Sequence, residues 1–256
     1  MEKLYILTSE MTRLLLYVVF LTAALLPAPA SANPEVAETA RLLAILLDSG
    51  RVVVGANQAA INDKETADKG FTPEFFEKQV AEMFERRAGV DLNNLAAAKI
   101  PDRAKPLLVE LMDASKQTVK AAQPVINKKG LGFKNFIPAT FGTQAAGRFS
   151  AKTGVYLKQT TIDTLLRNPK NKADDFEALI LKQFADPAYP RQGERVVSNV
   201  MDGGRTVRLM LPLYYGEKCL ICHGEPRGEQ DMSAYRKEGM KLGDLGGAIS
   251  VKLAVK

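Results

Sequence analysis

The chain has 256 residues, with 35 Lys+Arg against 29 Asp+Glu and a formal net charge of +6. Apolar and charged fractions near globular averages exclude a fibrous, collagenous or wholly disordered protein and allow a packed core. The basic residues are interspersed with acids, which argues against nucleic acid as a partner. Two Cys, one His and no Trp exclude any chemistry that needs several histidines.

The first 32 residues read as an export leader. Lys3 and Arg13 precede an apolar run, Leu14–Leu26, and Pro27-Ala28-Pro29-Ala30-Ser31-Ala32 supplies a small-residue cleavage site. At about 1.5 Å per residue the run falls short of a hydrocarbon core of roughly 30 Å, so cleavage after Ala32 is the favoured reading, with membrane attachment only if the leader stays. Losing Lys3 and Arg13 together with Glu2 and Glu10 keeps the charge at +6. The expected product, residues 33–256, is a single exported domain, most simply periplasmic.

From Val36 to Gln58 apolar residues recur at three and four, with Leu42, Leu43, Ile45 and Leu46 on one side, and predict an amphipathic helix. Residues 57–72 read as a loop. Thr72 then caps a helix that starts at Pro73 and runs to about Arg87. Ala88–Arg103 reads as a connector. A further helix is expected over Lys105–Ala122, stopped by Pro124, and Gly130–Gly142 is rich in Gly, Pro and Phe. Ser150–Asn168 and Asp174–Phe184 show helical spacing, separated by the turn Arg167-Asn168-Pro169-Lys170-Asn171. Two β-rich runs, Arg195–Val200 and Arg205–Leu213, flank Asp202-Gly203-Gly204 and predict a hairpin. A last strand is expected at Ala248–Val255. Helices first and antiparallel strands later indicate an α+β fold rather than a parallel βαβ sheet.

Both cysteines and the sole histidine fall within Cys219-Leu220-Ile221-Cys222-His223. The order C-x-x-C-H suits covalent haem: each thiol can add to one vinyl group, and the adjacent imidazole can reach the iron. A redox-active or disulfide C-x-x-C pair, and a zinc site completed by a carboxylate, use the same thiols and remain alternatives. A second His ligand does not exist in the chain. For the sixth position the sequence offers Met83, Met112, Met201, Met210, Met232 and Met240, then Tyr214, Tyr215, a lysine, water or an open site. Arg205, Arg208, Lys218 and Lys241 flank the motif as possible partners of haem propionates. Arg167 is a candidate clamp at the cofactor, Tyr215 is a candidate to stack near it, and Asp244 reads as a turn former.

The combination resembles the PAS-like periplasmic c-type haem sensor domains of bacterial chemotaxis receptors and histidine kinases, and free-standing haem c proteins of cyanobacteria. The resemblance is carried by Gly50-Arg51, Asn57-Gln58, Ile61-Asn62, Asp68-Lys69-Gly70-Phe71-Thr72, Arg167-Asn168-Pro169-Lys170-Asn171, Leu211-Pro212-Leu213, the C-x-x-C-H and Gly243–Val251. It covers about residues 38–255. It implies a PAS-like antiparallel sheet flanked by helices, one haem c bound by Cys219, Cys222 and His223, and His223 on the iron. Two departures matter. Some family members set a cysteine opposite the histidine, whereas this chain has no third Cys and only apolar residues and Thr140 near Pro138–Phe141. The sensors usually continue into a membrane helix and a signalling module, whereas this sequence closes at Lys256, so a signal would pass to a separate partner. The expected function is sensing of redox state or of NO, CO or O2; the alternative is electron transfer with a redox protein partner. A haem enzyme is disfavoured because no second His is available for acid–base work.

Overall fold

The computed structural model of the protein describes residues 33–191, 193 and 195–255. The expected leader lies outside the described residues. No described helix is long and apolar enough to cross a membrane.

The order of elements follows from local sequence. Asn33 accepts amide N–H bonds from Glu35 and Val36 and starts helix α1 (Pro34–Ala56), with Pro34 as its first residue. After the single turn α2 (Gln58–Ile61), Thr72 caps α3 (Pro73–Ala88), and Gly89 ends it at φ 69°. Helix α4 (Ala104–Ile126) does not stop before Pro124. That proline lies in its last turn, so the one bond its missing N–H forfeits falls near the end, and the helix closes at Asn127. Helix α5 (Pro138–Thr153) begins inside the Gly/Pro/Phe-rich segment.

The expected helix over Ser150–Asn168 is wrong. Gly154, at φ 72°, ends α5, and strand β1 (Tyr156–Thr160) follows. The spacing misled because Leu157 and Gln159 alternate inward with period two over too few residues to outweigh the helical pattern before them. Asp174 and Glu177 form a capping box at α6 (Asp175–Ala185). The hairpin forms as expected, with β2 (Val197–Met201) and β3 (Thr206–Tyr214), then α7 (Leu220–His223) and β4 (Leu245–Ala254).

The four strands make one antiparallel sheet in the order β1-β4-β3-β2. This is the α+β architecture expected, with helices on both faces. One face turns Val207, Leu209, Leu211, Ile249, Val251 and Leu253 toward α1, α3, α4 and α5. The other turns Met210, Leu245 and Ala248 toward Ile180, Leu181 and Phe184 of α6. Being covered on both faces, β3 reads as a near-continuous apolar run rather than an alternation.

Helix α1 packs on α3, α4, α5, β3 and β4 at once, so its burial runs round the helix: Ala40, Ala44, Leu47, Asp48, Ser49 and Gly50 are buried besides the expected stripe. Gly50 is set by close approach, since a Cβ there would lie 2.7 Å from the ring of Phe141. Each fully buried Leu or Ile in this helix contributes roughly 1.5–3 kcal/mol.

On the α6 side a charged cluster sits beside the apolar packing. Arg208 of β3 donates to Asp174 (2.8 Å), Glu177 (3.3 Å) and Ser250 (3.3 Å), with its guanidinium over the rings of Phe176 and Tyr156. Lys158 and the Tyr156 hydroxyl also reach Glu177, at 2.8 Å each. Burial acts to raise the Glu177 pKa, but Lys158 and the other hydrogen bonds outweigh it and hold the carboxyl below its usual range; the same balance, with Arg208, lowers Asp174. Carboxyls with lowered native pKa contribute stability that is present above the ordinary range near about 4 and is lost as pH falls through the native values. The melting temperature is therefore expected to drop on acidification from about pH 5 to about pH 3, and Glu177→Gln to lower it at neutral pH while flattening that dependence, as read by thermal unfolding across pH.

Candidate functional site

The C-x-x-C-H segment follows the sheet's third strand through a short turn. Glu217–Cys219 form one 3-10 turn and Leu220–His223 one helical turn, which sets Cys219 and Cys222 three residues apart on one face. Both cysteines are free thiols, Cys219 exposed and Cys222 half-buried. Burial, then the charge of Asp231, pushes the Cys222 thiol pKa up. Gly224 ends the turn; a Cβ there would sit 2.6 Å from the Leu220 carbonyl oxygen, so the chain leaves the motif only through glycine.

His223 is held on two sides. Tyr215 stacks on its ring, with centroids 4.8 Å apart and planes at 28°, and Nδ1 lies 2.8 Å from Glu238 Oε2 and 3.3 Å from the Tyr215 hydroxyl. A stacked phenol places its oxygen out of the imidazole plane, so the shorter carboxylate contact takes the Nδ1 proton, which assigns the Nδ1–H tautomer. Burial, then the charge of Arg167, lowers the His223 pKa against the opposing pull of Glu238. Among the described residues Nε2 has no hydrogen-bond partner. It is the nitrogen left with a lone pair to give.

The ring of Tyr215 is seated by a bulge. Between Leu213 and Tyr214 the β3–β4 register shifts, with Leu213 opposite Gly247 and Tyr214 opposite Leu245, so Gly246 is the extra residue. A Cβ on Gly246 would lie 2.9 Å from the Tyr215 ring. Asp244 accepts from the Lys241 amide and shapes the turn into β4, as expected.

Arg167 ties the arrangement together. Its Nε and Nη2 donate to the two oxygens of Glu238 (2.8 and 3.0 Å), Nη1 to Asp231 (2.7 Å), and Nη2 also to the Cys222 carbonyl oxygen (3.0 Å). Asp231 takes further bonds from Ser233 and the Tyr235 amide, and the Met240 amide donates to the His223 carbonyl at 2.8 Å. The segment after the motif is thus wrapped back onto it.

The structure brings Cys219, Cys222, His223, Tyr215 and Arg167 together. It does not bring Arg208, which is spent on Asp174 and Glu177 against α6. Lys218, Lys241 and Arg205 are exposed. Tyr214 bonds the Phe184 carbonyl at 3.4 Å, under the guanidinium of Arg191. Sequence reasoning missed Glu238 and Asp231. They sit among alternating charges without periodicity, and the only signal was the cation in the Arg-Asn-Pro turn some 70 residues earlier. Among the described residues no three of Cys, His, Asp and Glu gather as a metal-binding cluster.

Fold and site define a class: an α+β protein presenting two free thiols and an adjacent, oriented imidazole. A family model described as Tll0287-like (Tll0287) matches residues 29–254, and the chain belongs to that family. Among solved structures the chain is similar to that of the cyanobacterial heme-protein Tll0287, at 16% identity and a TM-score of 0.42, covering 61% of this chain and 97% of that one. Among curated proteins nothing matches.

Removing Arg167 leaves two carboxylates facing each other around the motif. Arg167→Ala is expected to cost on the order of 3 kcal/mol in chemical denaturation. It should also raise amide exchange over residues 222–240 and leave α1 protected, as read by hydrogen exchange with mass spectrometry.

Proposed function

We propose that this chain is an exported, single-haem c-type protein, matured in a periplasm after cleavage of its leader. Its haem is held by Cys219 and Cys222, with His223 Nε2 as the iron ligand. The observation that carries this reading is the placement of the imidazole: Nδ1 held on Glu238, the ring stacked on Tyr215, and Nε2 without a hydrogen-bond partner among the described residues. A metal-bound histidine ordinarily has its other nitrogen so engaged, which fixes the ring and raises its basicity. The donor set fits the group: two free thiols on one face and an adjacent imidazole. Membership of a family whose namesake is a haem protein supports it further.

Each thiol would add across one vinyl group, its S–H proton passing to carbon as the S–C bond forms, with no oxidant needed. Cys219, Cys222 and His223 would hold the haem, which would supply one-electron chemistry and ligand binding at its iron. Glu238, Tyr215 and Arg167 keep the imidazole in place through that chemistry, and Arg167 also fixes the Cys222 backbone.

The role we assign is a PAS-like sensor of redox state or of a diatomic gas, speaking to a signalling partner. Three methionines offered as sixth ligands are packed elsewhere: Met112 in the helical core, Met83 against it, and Met210 under α6. This favours an exchangeable sixth position over a fixed Met and hence sensing over electron transfer. Cytochrome-type electron transfer is retained only through Met201, Met232 and Met240.

The test is the optical spectrum of protein matured with the haem-attachment machinery, ferric and ferrous, with and without CO. A ferrous Soret band that moves on adding CO supports sensing; an unmoved band with a methionine-to-iron charge-transfer band in the ferric state supports transfer. Cys219→Ala with Cys222→Ala is expected to abolish haem staining after denaturing electrophoresis, and colour retained by that double variant contradicts the attachment.

A further inference from the structure

We propose that β2 is the contact strand of a symmetric dimer, pairing antiparallel with β2 of a second copy of this chain about a twofold axis at Asn199. The proposal stands apart from the haem reading.

The sheet treats its two edges differently. At the β1 edge the Thr161 amide and the Thr160 hydroxyl both donate to the Asn171 carbonyl oxygen, Thr161 bridges to Lys172, and the Lys158 ammonium reaches the Lys172 carbonyl. At the β2 edge, among the described residues, no backbone group outside β3 bonds to the strand. Natural sheets blunt an open edge with charge, proline or a bulge. Val197-Ser198-Asn199-Val200-Met201 has none of these: it is uncharged in a chain that is 25% charged, and its register against β3 is unbroken.

The phase of the hydrogen bonds shows what this edge offers. The Val255 amide donates to the Arg205 carbonyl oxygen at 2.8 Å, so these two residues form a hydrogen-bonded pair at the end of the β3–β4 ladder. Bonding alternates along an antiparallel strand, so Val207, Leu209 and Leu211 turn their backbone groups to β4, while Thr206, Arg208 and Met210 turn theirs to β2. Their partners Met201, Asn199 and Val197 are thereby bonded inward. Ser198 and Val200 are left with N–H and C=O pointing out of the sheet. Pro212, which has no N–H, falls on the β2 side just beyond the last β2–β3 pair.

The same edge turned by half a rotation fits it. With Asn199 on the axis, Ser198 and Val200 of one copy exchange both backbone bonds with Val200 and Ser198 of the other, and Asn199 faces its own equivalent in a pair without backbone bonds. The side chains match as well. The exposed Asn199 amide, donor and acceptor at once, meets a second amide, and Met201, 36% exposed, meets Val197, which already packs on the apolar cluster under α6. An axis at Ser198 would set Val197 against Asn199, and an axis at Val200 would set Asn199 against Met201. Only the register centred on Asn199 pairs apolar with apolar and amide with amide.

The experiment is sedimentation equilibrium of the mature protein over a range of concentrations, for wild type, Val200→Pro and the control Lys120→Gln on the exposed face of α4, together with oxidative cross-linking of Asn199→Cys. Wild type and Lys120→Gln should show the same concentration-dependent dimer. Val200→Pro removes an N–H that β3 does not use, so it should melt near wild type and weaken self-association by about tenfold or more, one bond being lost on each side of the axis. A pair without backbone bonds holds its Cα atoms about 4.5 Å apart, within disulfide reach, so mild oxidation of Asn199→Cys should join two chains through residue 199. Peptide masses identify that link independently of Cys219 and Cys222, and it decides the matter if Val200→Pro fails to fold. A wild type that stays monomeric throughout the range overturns the proposal, as does a dimer that Val200→Pro leaves intact and that forms no link at residue 199. None of these readouts needs haem, so failure of the haem reading leaves them unchanged.

Discussion

The triple engagement of Arg167 is the constraint on which the site depends. One guanidinium binds both oxygens of Glu238, a carboxylate oxygen of Asp231 and the backbone carbonyl of Cys222. A planar fork can meet all of these at once, which lysine's point charge cannot. Because Glu238 in turn holds His223 Nδ1, the imidazole is oriented by a residue from the segment that follows the sheet's first strand. The chemistry-bearing segment is short, and its own turn is too brief to be rigid. Its precision is borrowed from the turn after β1 and from the stacked ring of Tyr215.

That borrowing explains features of the fold that would otherwise look incidental. The bulge at Gly246 sets Tyr215 flat against the backbone, and Gly224 lets the chain turn away directly after the histidine. Gly142 leaves space for the Arg51 and Gln159 side chains to cross. In each case the absence of a Cβ is what the neighbouring side chain needs. The sheet divides the molecule electrically as well: its α6 face carries the Arg208 cluster, while the imidazole site is organised by Tyr215, Arg167 and the segment after the motif.

The sequence made some of this legible and hid the rest for physical reasons. The cap residue Thr72 revealed α3 because a cap is a local interaction, as is the Asp-Gly-Gly turn that revealed the hairpin, while α6 was legible from its helical spacing. Strand β1 was hidden because five residues of alternation follow a strongly helical segment without a polar gap. The full burial of α1 was hidden because a helix packed by three other helices and a sheet shows no stripe. At the site, Cys219, Cys222 and His223 were legible from adjacency alone, and Arg167 from its place in a distinctive turn. Arg208 was misplaced because alternation on β3 does not say which face carries the motif. Glu238 and Asp231 act through contacts between distant segments, which no local pattern reports.

The most direct test of the central claim is the intact mass of the protein exported alongside the haem-attachment machinery, with titration of its free thiols. The account predicts a chain beginning at Asn33 that carries the mass of one haem and has no titratable thiol. A chain of apoprotein mass with two titratable thiols, or with a Cys219–Cys222 disulfide, would contradict it.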